Sequence, residues 1–118
     1  MPITLQVRSI EQGLSVVAIQ GDARHSDAKP GTNPFRDALG EQWPTMKVIL
    51  DLMHTDTVDS AAAGWLMASA TQFSQRGGAL VVCCASDFVK QVFKFIKLEK
   101  KVPVVEDEAA ARQALAPK

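Results

Sequence analysis

Val48-Ile49-Leu50-Asp51-Leu52, followed shortly by Val58-Asp59-Ser60-Ala61-Ala62-Ala63-Gly64-Trp65, is the stretch that decides the architecture. An apolar run of strand length ends in Asp-Leu, and an Asp-Ser pair then opens an alanine-rich segment. Met46 to Leu52 is nearly continuous in hydrophobicity, which reads as a strand covered on both faces. From Ala61 to Gln75 the period changes. Ala62, Leu66, Ser69, Ala70 and Phe73 share one helical face, and Thr71, Ser74 and Gln75 lie opposite. Ser60 is expected at the N-cap of this helix, worth about 1 kcal/mol, with no glutamate at the third helical position to complete a capping box. Gly77-Gly78 ends the helix, and Ala79 to Ala85 reads as a second buried strand.

Working outward toward the N-terminus, Ile3, Leu5 and Val7 alternate with Thr4, Gln6 and Arg8, the period of a half-buried strand. Glu11-Gln12-Gly13 supplies a turn, Leu14 to Ile19 returns as a more apolar run, and Gly21 closes this hairpin. Residues 22–46 are irregular, with Pro30, Pro34 and Pro44. Asn33-Pro34 through Gly40 predicts a short helix with cap, proline start and glycine stop. Trp43-Pro44 is expected in a loop. Toward the C-terminus, Ser86-Asp87 caps a helix carrying Val89, Val92, Phe93 and Ile96 at helical spacing. Lys90, Lys94 and Lys97, with Lys100 and Lys101, read as a solvated basic face. Val102 to Val105 is a short strand whose Pro103 places it at an edge or a strand start. Glu106-Asp107-Glu108 leads into a last helix through Leu115, its acids at the favourable dipole end.

Two strands, a short helix, then strand and helix three times over imply an α/β fold. Its sheet is mostly parallel, with an N-terminal antiparallel strand and about four packing helices. The 118 residues fit one domain, 1–118, and 47% of them are apolar. Thirteen basic and thirteen acidic side chains balance. That balance gives no bulk field for nucleic acid or an anionic membrane. No apolar run approaches the ~20 residues of a membrane span, and no signal-peptide pattern opens the chain. Cys83 and Cys84 are adjacent in a predicted strand, so their side chains are expected on opposite faces and unpaired. They read as core thiols of a protein in a reducing compartment, hence cytoplasmic.

Catalytic and metal signatures are missing from the sequence. Gly31-Thr32 lacks the Gly-Lys-Ser/Thr of a phosphate loop, and Gly77-Gly78 lies on the wrong side of its helix for a dinucleotide. His25 and His54 are the only histidines, and no Cys or His spacing has the form of a zinc site. No nucleophile elbow surrounds Ser60 for His54 to serve. The expectation is a non-enzyme without metal or cofactor. Trp65, at the flank of the apolar stripe, is expected to be partly packed.

Leu50-Asp51-Leu52, Val58-Asp59-Ser60, Gly64 and Leu66 together resemble the strand–loop–helix signature of STAS domains, above all bacterial anti-sigma factor antagonists. Gly77 to Val82 resembles that family's next helix end and strand, and Ser86, Val89-Lys90 and Phe93 its third helix. Glu108-Ala109 through Leu115 is similar to its closing helix. The resemblance runs from about residue 14 to 115. It implies that a partner anti-sigma factor, itself a serine kinase, phosphorylates the residue after the aspartate, here Ser60 beside Asp59. The unmodified form then binds the partner and the phosphorylated form does not. The implied partner-binding residues are Asp22, Asp59, Ser60, Ala61, Ala63 and Gly64, with the three alanines leaving room for close approach. Ala61 and Ala62 stand where serine and glycine are common in the family, and Arg24 where an acid is common. Other roles open to such a domain are a structural or regulatory subunit of a stressosome-like assembly or an ABC lipid-transport system, or small-ligand binding. Weak homo-oligomerisation is compatible with each.

Overall fold

Strand order in the sheet is the order of the chain. The computed structural model describes residues 5–11, 14–19, 33–55 and 57–115, with Glu11 and Ser60 described by their backbone. β1 (Leu5–Glu11) pairs antiparallel with β2 (Leu14–Ile19). β3 (Lys47–Asp51), β4 (Ala79–Cys83) and β5 (Val104–Val105) then add in parallel, giving β1-β2-β3-β4-β5. The helices are α1 (Pro34–Leu39), α2 (Ser60–Arg76), α3 (Asp87–Phe95) and α4 (Glu108–Leu115). Right-handed crossovers that always advance in one direction put every crossover helix on one face of the sheet. Accordingly Phe35, Leu66, Phe73, Val89 and Phe93 join Val17, Val48, Leu50, Leu80 and Val82 in one core. α4, which follows the last strand, returns over the other face. There its Ala111 packs with Val16, Ile49, Val81 and Cys83.

The central strands follow the expectation of two-sided cover: Val48, Ile49, Leu50, Val81 and Val82 are all buried. The α2 face expected from the sequence is also buried in full, at Ala62, Leu66, Ser69, Ala70 and Phe73. β1 departs from simple alternation. Its register shifts between Val7 and Ser9, leaving Arg8 as the extra residue of a bulge. Leu5 is buried, while Val7 and Ile10 are exposed on this edge strand.

Asn33 caps α1 as its sequence implies, its side chain accepting from the Phe35 and Arg36 amides at 2.9 and 3.4 Å. Trp43-Pro44, expected in a loop, instead begins one turn of 3₁₀ helix (Trp43–Thr45), and both residues are buried. The reason is aromatic. Phe35 lies between Trp43 (ring centroids 5.5 Å) and Trp65 (4.9 Å) and edge-on to Phe73 (5.4 Å). Trp65 is therefore more deeply packed than its flank position suggests. α2 ends at Gly77, whose φ of 83° is left-handed as helix-terminating glycines commonly are. β4 then begins against the preceding loop, with the Ala79 amide donating to the Met46 carbonyl at 3.0 Å.

Strand and helix bounds shift modestly at the C-terminal end. β5 covers only Val104–Val105 after Pro103. α4 starts at Glu108, capped by Asp107, whose carboxylate accepts from the Ala110 amide at 2.8 Å. Among the basic residues of α3, Lys90 pairs with Glu106 at 3.1 Å. Among the described residues no helix is long and apolar enough to cross a membrane.

Candidate functional site

The β3-to-α2 connection is pinned at both ends. The Leu52 amide continues the sheet by donating to the Cys83 carbonyl at 3.0 Å. Asp51 turns the chain locally, its Oδ1 accepting from the Met53 amide at 2.8 Å. Thr55, buried, donates its hydroxyl to the Ile19 carbonyl at 2.8 Å and so ties the loop to the end of β2. Val58 is also buried, and the chain arrives at α2 with a fixed direction.

The cap of α2 is Asp59, not Ser60. Asp59 holds extended dihedrals (φ −81°, ψ 169°), and its carboxylate accepts from the Ala62 amide at 2.7 Å. Ser60 is the first helical residue. Aspartate and serine are equally good caps, so the sequence does not rank them. The aspartate adds a charge that the positive end of the helix stabilises. The alanines divide: Ala61 is half-buried, while Ala62 and Ala63 are turned into the core. The small surface beside Ser60 is thus Ala61 and, one turn on, Gly64. Gly64 is exposed, and a Cβ built on it would meet nothing within 4 Å. Nothing inside the described fold requires a glycine there, although a helix-interior glycine costs about 1 kcal/mol relative to alanine. Asp22 lies outside the described residues, as do Arg24 and His25. His54 is exposed on the connecting loop.

On the opposite face of the sheet a second group of side chains gathers. Asp51 is buried, and the guanidinium of Arg8, raised by the β1 bulge, forms a salt bridge with its Oδ2. Cys83 and Cys84 do not point apart as expected. β4 ends at Cys83, and Cys84 takes a left-handed φ of 62°, which brings the two sulfurs and an Asp51 oxygen within 4.8 Å of one another. Burial above all, with the charge of Asp51 adding to it, pushes both thiols above their ordinary value of 9.0. The adjacency of the cysteines and the Asp at a strand end were visible in the sequence. The backbone reversal that unites them had no glycine or asparagine to announce it.

These thiols predict a loss of stability in alkali. Below about pH 9 the folded and unfolded chains both keep the protons, and the thiols add no pH dependence. Above it the unfolded chain ionises first, so the folded state loses about 1.4 kcal/mol per pH unit at Cys83. Urea denaturation at about pH 8 and about pH 10 should show this slope, and Cys83→Ala should flatten it. An unchanged slope in that variant would mean the burial of Cys83 is not what is being titrated.

Residues 8–111 match the family model of the STAS domain. Among solved structures, a Thermotoga maritima protein described as a candidate anti-sigma factor antagonist superposes with a TM-score of 0.78 at 15% identity, covering 96% of this chain and 93% of that one. An anti-sigma factor antagonist from Mycobacterium paratuberculosis gives 0.76 at 19% identity with the same coverages. The anti-sigma factor antagonist SpoIIAA in its unphosphorylated form gives 0.67 at 17% identity, covering 96% of this chain and 100% of that one. At these identities the superpositions speak for the fold. The family match over nearly the whole chain, with a five-stranded sheet and four helices to match it, makes this protein a member of the STAS domain family.

Proposed function

We propose that the chain, as a single STAS domain, is a cytoplasmic, non-catalytic antagonist of an anti-sigma factor, and that its partner is also the serine kinase that modifies it. The contact surface is the start of α2, with Asp59, Ser60, Ala61 and Gly64, completed by Asp22; Ala63, expected in it from the sequence, is buried against the core and drops out. One observation carries this reading. Ser60 opens a helix already capped by Asp59, and exposed Gly64 stands one turn further along, where only an approaching surface gives a reason for its smallness. Residues four apart share a helical face, so Ser60 and Gly64 belong to one patch. A phosphate on Ser60 finds the free amides of a helix start. It also places a charge of about −1.5 to −2 beside the Asp59 carboxylate. A partner surface shaped for a small patch carrying the Asp59 carboxylate alone at the helix start then meets two neighbouring anions, a juxtaposition that costs several kcal/mol.

Because Asp59 supplies the cap, neither Ser60→Ala nor Ser60→Asp removes it, and both variants should fold as the parent does. Calorimetric titration with a cognate anti-sigma factor kinase should give parent-like binding for Ser60→Ala. For Ser60→Asp, binding should be weaker by about 2–4 kcal/mol, on the order of 30- to 1,000-fold in Kd. Incubation with ATP and that kinase should add one phosphate to the parent chain and none to Ser60→Ala by intact mass. Equal affinity of the two variants, together with an unmodified parent chain, would reduce Ser60 to a structural residue.

A second reading rests on α3. Phe88 and Phe95 are exposed, at 54% and 88%, and seven residues apart they share one side of the helix. Apolar surface of this kind supports a role as a subunit of a larger assembly, of stressosome or transporter type, in which α3 is covered. Co-purification with an ATPase subunit instead of a kinase would favour it.

A further inference from the structure

The α4 face of the sheet holds a group of donors that the reading of α2 leaves unused. We propose that Asp51, Cys83 and Cys84 bind a thiophilic divalent cation of the zinc or cadmium class, through two thiolates and one carboxylate. The carboxylate oxygen and both sulfurs already lie within 4.8 Å of one another. A tetrahedral ion with metal–sulfur bonds of about 2.3 Å needs its sulfurs about 3.8 Å apart. The remaining distance, roughly 1 Å, is within side-chain rotation.

The backbone conformation at Cys84 is what creates the donor set. In a continued strand the second sulfur would sit on the far face. The left-handed φ of 62° at this non-glycine residue turns it back beside the first. Such a conformation costs about 1–2 kcal/mol, and strain of this kind clusters at functional sites. Direct pairing of the two thiols is disfavoured, because consecutive Cα atoms are about 3.8 Å apart and disulfides ordinarily span about 4.4–6.8 Å. A shared ion has no such limit.

Asp51 has capacity to spare. Its Oδ1 accepts from the Met53 amide and its Oδ2 from Arg8, two of about four lone-pair positions on a carboxylate. Those two bonds orient it, as outer partners orient ligands in metal sites. Two sulfur donors favour a thiophilic ion over magnesium or calcium. The ion displaces both thiol protons to solvent, and with Arg8 present the loaded cluster is neutral. Cys84 is half-buried and gives the way in, while Cys83 is fully buried.

The test uses the full chain, reduced and stripped with chelator, and cadmium as the probe. Titration followed by the ultraviolet thiolate-to-cadmium charge-transfer band should saturate at one ion per chain with release of two protons. Calcium should produce no heat in calorimetry. Cys84→Ser, at a half-buried position where folding is checked by circular dichroism, should weaken binding more than about 100-fold, beyond the loss of an outer partner. Cys83→Ala should do the same. No band in the parent chain at stoichiometric cadmium overturns the proposal. So does a band of undiminished affinity in Cys84→Ser, which by itself decides the matter if Cys83→Ala fails to fold. The outcome is independent of Ser60 and of its modification.

Discussion

Replacing Phe35 by alanine is expected to remove about 3–5 kcal/mol of stability, the range for truncating a buried phenylalanine. Phe35 has no exposed surface, and its ring touches Trp43, Trp65 and Phe73 at centroid distances of 5.5, 4.9 and 5.4 Å. Three separate pieces of chain meet there: α1, the 3₁₀ turn at Trp43–Thr45, and α2. α1 has six residues, well short of the ~12–15 an isolated helix needs to hold itself in water. It therefore depends on this ring for its place. Since total stability of a domain this size is about 5–15 kcal/mol, the melting temperature should drop on the order of 10–20 °C. Emission from both tryptophans should shift as well. Phe35→Leu, which refills most of the volume, should cost less than half as much. A loss below about 1 kcal/mol for the alanine variant would show that α1 is held by something other than this cluster.

Gly78→Ala is expected to be comparably severe, for a different reason. A Cβ at Gly78 would come within 2.5 Å of the carbonyl oxygens of both Pro44 and Met46, and 3.0 Å from Phe73 Cδ1. The first two are backbone atoms and do not rotate away. One of them, Met46, is fixed further by the Ala79 amide at 3.0 Å. Relief requires moving the start of β4 away from the loop that leads into β3, at a cost at or above the usual 1–3 kcal/mol for overpacking. Gly77→Ala separates space from conformation. Gly77 needs its positive φ but has nothing within 4 Å of its Cβ position, so alanine there should cost only about 1–2 kcal/mol. Parallel urea titrations of the two variants give the comparison. Equal losses would mean that the end of α2, and not the close crossing at Gly78, sets the penalty.

Much of the fold was legible because its signals are local. β3 shows its two-sided cover through unbroken hydrophobicity, and α2 shows its buried face through the spacing of Ala62, Leu66 and Phe73. Asn33-Pro34 and Ser86-Asp87 mark helix starts by residue type. The misreadings have physical sources. Asp59 and Ser60 are both good caps, and the choice between them depends on where the incoming loop, tied down through Thr55, delivers the chain. Trp43-Pro44 has a loop's composition, yet it is buried by rings that arrive from α1 and α2. Val7 carries a strand's alternation but lies on an edge strand, where one side chain in two need not find cover. The cysteine pair was the largest miss. Alternation holds only while a strand continues, and β4 stops one residue before the rule would have applied to Cys84. At the candidate switch, Ser60, Ala61 and Gly64 lie along one stretch of helix, while the core position of Ala63 became evident only with the packing.

Strand order identical to chain order has a consequence for how the molecule is made. Each strand's partner in the sheet is the strand immediately before it, so no segment must wait for a distant one to be synthesised. A nascent chain can form the β1–β2 pair first, then lay β3, β4 and β5 in turn against an edge that already exists, each crossover helix closing over the layer just built. Domains emerge N-terminus first at about 5–20 residues per second, and this topology needs no strand to be inserted between two others. The final helix, α4, reaches β3, β4 and β5 from the far side. It is the piece that ends construction, sealing the second face only when the sheet beneath it is complete.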